Sequence, residues 1–422
     1  MQSIIIDGGR RLCGEIDVQG SKNSALPILA ATVLIDGVSV IHNCPLLSDV
    51  DAAVSILRYL GCKVERNNHS VTVDSRGVTG YRIPDWLMRE MRSSIVFLGS
   101  VLGRTGKAML SSPGGCEIGL RPIDLHLSSL RKLGAEFEDI SGEIICSMPK
   151  RNTDCIISLS FPSVGATENI MLASALSEGR TVIHNGAREP EISDLAKFLC
   201  SAGCKIEVGN DGDIIIDGAA KLHGCEHSVI PDRIVALTYL CAGAAAGGKL
   251  TLNNVDIRHF SSVLPVLEGT GCLIKEDGKS VSLEMKRRPG AMRDIRTMPY
   301  PGFPTDAQAP FMSVACVARG TSVIVENIFE SRFKHVGELA RFGAKIKIEG
   351  KIAIVDGVAN LQGAKVICPD LRGGAALVIA GLAANGRTVI TGLSHIDRGY
   401  EKIEENLRLA GADISRRTLA SI

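Results

Sequence analysis

The stretches ILRYLGCKVE (56–65), LRKLGAEFE (130–138), FLCSAGCKIEV (198–208), LEGTGCLIKE (267–276), LARFGAKIKIE (339–349) and LRLAGADIS (407–415) are six versions of one phrase. Each reads as the tail of an amphipathic helix, then a glycine, then a strand of alternating polar and apolar residues. The glycines, Gly61, Gly134, Gly203, Gly271, Gly343 and Gly411, recur every 68 to 73 residues. Glycine suits the left-handed conformation that ends a helix. A second phrase keeps the same period: GVSVIHN (37–43), GKAMLSS (106–112), GRTVIHN (179–185), GKLTLNN (248–254), GTSVIVE (320–326) and GRTVITG (386–392). Each follows a helix of small, uncharged residues. Six units, each with two helices and several short strands, therefore account for the chain.

The opening, SIIIDGGRRLCGEIDV (3–18), resembles DIIIDGAAKLHGCEHSV (213–229) and KIAIVDGVANLQGAKVI (351–367), which lie in the middle of a unit. The first residues are thus expected to complete a unit begun at the C-terminal end. That predicts two lobes of three units: residues 22–230, and 1–21 together with 231–422. The chain crosses back near residue 230, and a ligand site is expected in the cleft between the lobes. An open solenoid is the competing arrangement, but repeats longer than about 50 residues exceed the usual solenoid lengths.

Composition narrows the function classes. A chain of 422 residues exceeds one hydrophobic core. Forty-seven basic against 46 acidic residues give no global field for nucleic acid or an anionic membrane, so anions must be held locally. The longest uncharged stretch, 234–248, is too short to cross a bilayer. The N-terminal apolar run is too short for a secretory signal. Thirteen scattered Cys without a CxxC pair or zinc spacing suit a reducing compartment, so a cytoplasmic protein is expected.

Each unit has one nearly uncharged helix, and polar residues stand at its start: Lys22 and Asn23; Arg92; Ser163, Val164 and Gly165; Asp232 and Arg233; Asp306; and Asp370, Leu371 and Arg372. Helix N-termini favour anions. N-capping explains Asp306, Asp370 and Ser163. It does not explain Lys22, Arg92, Arg233 or Arg372, whose charge has the same sign as the helix end, and these read better as an anion site. Further positive charge lies at Arg121, Arg332 and Arg398, although a lone Arg is usually a surface residue. Cys116 sits in SSPGGCEIGLRP, a Gly/Pro loop without periodicity. It reads equally as an acid or nucleophile or as an ordinary small residue.

Nine segments together carry a resemblance: GSKNSALP (20–27), PGGCEIGLRPIDLH (113–126), PSVGATENI (162–170), REPEISD (188–194), IPDRI (230–234), FPTDAQA (303–309), FESRFKHV (329–336), DLRGGAAL (370–377) and HIDRGYE (395–401). With them the chain resembles, over its full length, the UDP-N-acetylglucosamine enolpyruvyl transferases of the EPSP synthase-like superfamily, which open peptidoglycan precursor synthesis. The resemblance implies a two-lobed inside-out α/β barrel of six βαβαββ units, three per lobe. The substrates would be phosphoenolpyruvate and UDP-N-acetylglucosamine, with no metal or organic cofactor. Cys116 would protonate the methylene carbon of phosphoenolpyruvate, and Asp306 would take the proton of the sugar 3-hydroxyl. Lys22, Asn23, Arg121, Arg372 and Arg398 would hold phosphate and carboxylate, with Lys22 and Arg398 also serving catalysis. Arg92, Arg121, Pro122, Ile123, Asp124, Leu125, Phe161, Pro162, Ser163, Val164, Asp306 and Ile328 would line the UDP-sugar site.

An acid, a base and clustered cations suit a transition state with positive character at C2 beside a departing phosphate. Two departures from the family pattern stand out. Phe161 replaces a Lys found in some relatives, which removes one cation from the diphosphate. The Gly373–Gly374 pair is expected to loosen the helix start at Arg372. The runners-up are the sister transferase acting on shikimate 3-phosphate and a silent UDP-sugar-binding paralogue. The sister enzyme lacks a thiol loop of this type, and Cys116, Asp306 and Lys22 argue against silence. The sequence assigns no oligomeric state.

Overall fold

The computed structural model describes residues 2–111, 123–140, 142–149 and 154–418. They form two compact units, one of residues 20–230 and one of residues 2–19 with 231–418.

The six punctuating glycines all take positive φ, from 86° at Gly343 to 112° at Gly203. Five of them close their helix in the same way. The amide after the glycine (Cys62, Ala135, Cys204, Ala344 and Ala412) reaches back to the carbonyl of Leu57, Leu130, Leu199, Leu339 and Leu407, at 3.0–3.4 Å. Only a residue without Cβ strain fits the left-handed position, and the chain leaves it directly into a strand. The residue that follows turns inward against its sheet, so it is small; three of the scattered Cys (Cys62, Cys204 and Cys272) are of this kind, each about 5% exposed or less.

The second repeated phrase forms the strands Val38–His42, Lys107–Ser111, Arg180–His184, Gly248–Asn253, Thr321–Val325 and Arg387–Thr391. Alternation buries two residues in each: Ser39 and Ile41, Ala108 and Leu110, Thr181 and Ile183, Leu250 and Leu252, Ser322 and Ile324, Thr388 and Ile390, the first of them small in every strand but Gly248–Asn253. Each of these strands is second in a four-stranded sheet, with a parallel edge strand on one side and an antiparallel strand on the other.

In the unit of residues 20–230, three such sheets enclose the helices Lys22–Ala31, Phe97–Thr105 and Val164–Ser174. In the other unit the enclosed helices are Arg233–Ala246, Thr305–Val317 and Leu371–Ala383, which pack on one another. These helices carry no wet face and are rich in Ala and Gly, so helices lie inside and sheets outside. The opening residues complete two sheets of the second unit. Gln2–Asp7 lies between Arg387–Thr391 and Ile414–Thr418, and Leu12–Asp17 pairs in parallel with Gly248–Asn253. Among the described residues no helix is long and apolar enough to cross a membrane.

Candidate active site

In the unit of residues 231–418, Asp306 stands in the first turn of Thr305–Val317. The capping explanation fails for it. The N-cap is Pro304, and no side chain caps this helix. Freed from capping, the carboxylate accepts from two guanidiniums: Arg332 Nη2 at 2.6 Å on one oxygen, and Arg372 Nη2 at 3.1 Å on the other. The two arginines are almost completely buried, 4% and 2% exposed at the side chain, while Asp306 keeps 27%. Arg332 Nε and Arg372 Nε and Nη1 find no acceptor among the described residues. A buried donor left without a partner costs about 1–3 kcal/mol, so such groups call for a reason.

The cap at the helix Leu371–Ala383 is Asp370, whose carboxylate accepts from the amides of Arg372 and Gly373 at 3.0 and 2.9 Å. Its companions Asp232 and Ser163 cap their helices in the same way. Arg372 lies over the Tyr400 ring, 5.4 Å from its centre. Burial opposes its charge, but Tyr400, Asp306 and Asp232 more than offset this and raise its pKa. Close packing accounts for the Gly373–Gly374 pair. A Cβ on Gly373 would sit 2.9 Å from His335 Cβ, and one on Gly374 would sit 2.8 Å from Ile396. The glycines are there because neighbours come too close for anything larger.

His335 packs between Asp370 and Arg332, fully buried, with neither ring nitrogen hydrogen-bonded among the described residues. Burial pushes its pKa down to about 4; Asp370 opposes this and Arg332 adds to it. Arg398 ends the short helix Leu393–Arg398, held at its neighbour Asp397 by Arg416 at 2.7 and 3.0 Å. Ile328 follows the strand Thr321–Val325, its amide bound 2.8 Å from the Glu326 carboxylate.

In the unit of residues 20–230, Lys22 is the first residue of its helix and is 9% exposed. Its ammonium donates to Asp49, 3.1 Å away, in the first turn of Ser48–Tyr59. Asn23, beside it, is half-buried. The segments expected at the UDP-sugar are gathered by Asn169. Its amide nitrogen lies 2.8 Å from His126 Nδ1 and donates to Ile95 O at 3.1 Å, while its oxygen accepts from the Gly99 amide at 2.6 Å. One side chain thus ties the 3-10 turn opened by Arg92 and the helix Asp124–Lys132, entered through Ile123, to the helix that Ser163 caps. Asp124 is exposed, Leu125 and Ile123 lean on the core, and Phe161 is 43% exposed beside the half-buried Pro162 and Val164. Cys116, Arg121 and Pro122 lie outside the described residues.

Arg332, Asp49 and Asn169 escaped the sequence reading as site residues. The charge of Arg332 is visible in the sequence, but its neighbourhood to Asp306, 26 positions away, has no periodic signature. Asn169 left a fainter signal, a lone amide in an otherwise apolar buried helix. Among the described residues no group of three His, Cys, Asp or Glu is placed to hold a metal ion. The described Cys are free, and burial pushes the thiols of Cys146, Cys204, Cys316 and Cys368 up to about 12.

The model of the EPSP synthase (3-phosphoshikimate 1-carboxyvinyltransferase) family matches residues 6–407. The chain is 52% identical over 412 residues to UDP-N-acetylglucosamine 1-carboxyvinyltransferase 2 of Caldanaerobacter subterraneus subsp. tengcongensis, covering 97% of this chain and 98% of that one. It is 49% identical to UDP-N-acetylglucosamine 1-carboxyvinyltransferase 1 of Symbiobacterium thermophilum, covering 98% and 94%. Among solved structures it is similar to the enolpyruvyl transferase NikO from Streptomyces tendae, with a TM-score of 0.90 at 23% identity and 99% of both chains covered. EPSP synthase from Acinetobacter baumannii aligns with a TM-score of 0.74 at 17% identity, over 99% of this chain and 100% of that one.

Proposed function

This chain belongs to the EPSP synthase family, among the UDP-N-acetylglucosamine 1-carboxyvinyltransferases, and from that premise we propose the reaction it performs and the groups that carry it. The enolpyruvyl group of phosphoenolpyruvate passes to the 3-hydroxyl of UDP-N-acetylglucosamine, and phosphate is released. The observation that supports the roles best is the Asp306 carboxylate held by two buried guanidiniums whose further N–H groups meet no acceptor among the described residues. A partly exposed, oriented carboxylate can take a proton, and the unused donors of Arg372 can hold an anion at the same place.

Asp306 takes the proton of the sugar hydroxyl as its oxygen bonds to C2 of phosphoenolpyruvate. Cys116 supplies a proton to the methylene carbon. The product is again an enol ether, so that carbon must give up a proton as phosphate departs. Lys22 and Asn23, with Arg121, Arg372 and Arg398, carry the phosphate and carboxylate. Arg92, residues 121–125, residues 161–164, Asp306 and Ile328 face the UDP-sugar. The place of the reaction would be the cytoplasm, at the entry to peptidoglycan precursor synthesis.

Phosphate release from phosphoenolpyruvate tests this, with UDP-N-acetylglucosamine and, separately, shikimate 3-phosphate as acceptor. Turnover with the first alone is expected; turnover with the second alone would replace the reading by its sister reaction. A phosphonate epoxide, fosfomycin, should label Cys116 in preference to the four thiols that burial pushes up to about 12, and should label it faster when UDP-N-acetylglucosamine is present. Peptide mapping that finds the label on another Cys would remove Cys116 from the reaction.

A further inference from the structure

Glu326 is 1% exposed. A carboxylate is expensive to bury unless its oxygens are satisfied. Here they are satisfied by four neutral donors. Oε1 accepts from Thr297 Oγ1 at 2.9 Å and from the amides of Ile328 and Phe329 at 2.8 and 3.1 Å. Oε2 accepts from Thr305 Oγ1 at 3.0 Å. Thr297 in turn accepts from the Asn327 amide at 2.8 Å, so its one hydroxyl proton is committed to Glu326.

Three of the four donors come from the two segments that meet at Asp306. Thr305 opens the helix on which Asp306 is the next residue. The amides of Ile328 and Phe329 begin the turn that leads to Arg332. The Phe329 ring lies 5.8 Å from the Arg332 guanidinium, and Arg332 Nη2 also reaches the Thr305 carbonyl at 3.3 Å. Both ends of the Asp306–Arg332 contact are therefore fastened to one buried carboxylate. A shorter or neutral side chain would satisfy the fold with fewer desolvated oxygens, so what this arrangement adds is fixed geometry.

We propose that Glu326 is a positioning residue of the transfer reaction: it fixes the Asp306 carboxylate against Arg332. The inference rests on the proposed function. A group held a fraction of an ångström off its productive place loses rate rather than ground-state binding.

Glu326→Gln offers one oxygen where two are used, and is expected to lower kcat by about 10- to 100-fold with KM for phosphoenolpyruvate within about threefold. Since Glu326→Gln can also unsettle the fold, Thr305→Val and Thr305→Ser decide the matter at a half-buried position. Thr305→Val removes the Oε2 contact and should lower kcat about fivefold, with Tm within about 3 °C of wild type. Thr305→Ser keeps the hydroxyl and should restore kcat to within about twofold. Wild-type kcat in Thr305→Val, no rescue by Thr305→Ser, or a loss that tracks Tm overturns the positioning role while leaving the reaction intact. Absence of phosphate release by the wild-type protein overturns the proposed reaction and this inference together.

Discussion

Each unit holds a cation beside a carboxylate at the start of a buried helix, and the two units do it differently. In the unit of residues 20–230 the Lys22 ammonium meets Asp49 at 3.1 Å, and both side chains are nearly buried. In the unit of residues 231–418 Asp306 divides its two oxygens between Arg332 and Arg372 and stays partly open. An ammonium is a compact point charge whose donors rotate; a guanidinium carries five N–H groups in a rigid plane. One carboxylate cannot saturate two such planes. The arginine arrangement therefore keeps directed donors in reserve for another anion, whereas the lysine offers a compact charge at a helix start.

The comparison breaks most visibly at Asp306. Asp306→Asn should lower turnover by about 100-fold or more and leave UDP-sugar binding within about tenfold, as for a lost base. Phosphate release and calorimetric titration give the two numbers. Near-normal turnover would move the base elsewhere.

Lys22→Met tests the other side. It leaves Asp49 buried without its ammonium, which for a buried pair is worth about 3–5 kcal/mol, or roughly 6–20 °C in Tm. Lys22→Met combined with Asp49→Leu should recover most of that Tm, since removing both partners is far milder than removing one. Turnover should not return, because the anion has lost a cation. Recovery of turnover in the double variant would reduce Lys22 to a structural role.

The two units should also answer pH in opposite senses. His335, with its folded pKa near 4, is neutral in the folded protein, while the unfolded chain takes up a proton below about pH 6.5. Its contribution to stability is present above that pH and is lost as pH falls toward 4. Glu168, in the helix Val164–Ser174, has a pKa raised well above the ordinary value by burial and then by Glu191 and Glu189. The folded form keeps its proton where the unfolded chain has lost it, so its contribution fades as pH rises above about 4.5. Glu168→Gln should flatten the alkaline decline of Tm and leave the acidic one. An unchanged profile would mean that Glu168 finds stabilising partners when ionised. The smallest effect is expected at the caps. Asp370→Ala, which removes two contacts near 3.0 Å, should lower Tm by about 2–4 °C, and Ser163→Ala, with one contact of 3.4 Å, by less.

The repeat was legible because its causes are local. Six glycines at helix ends and six alternating strands are written within ten residues each, and a left-handed glycine or an inward Ile needs no distant partner to be recognised. The N-terminal strands were legible through likeness to 213–229 and 351–367. Five of the six helix starts fall where the sequence puts them, while Arg92 opens a 3-10 turn ahead of the helix Phe97–Thr105, and the chemistry of the starts was only half readable. Asp370 and Ser163 cap amides two or three positions away, as short-range signals imply. Asp306 resembles them in sequence but spends its oxygens on residues 26 and 66 positions away, and that choice is made by tertiary packing. The Glu326 carboxylate and Asn169 amide escaped for the same reason, as did the close approach that requires Gly373 and Gly374.

The pairing of Gln2–Asp7 with Ile414–Thr418 has a consequence for how the protein comes off the ribosome. The unit of residues 20–230 draws its strands from one continuous run and can close while synthesis continues. The opening strand of the other unit must wait for partners some 412 residues downstream, which at about 5–20 residues per second is roughly 20–80 s. Through that interval an Ile-rich edge stands unpaired, a natural client for whatever shields nascent chains.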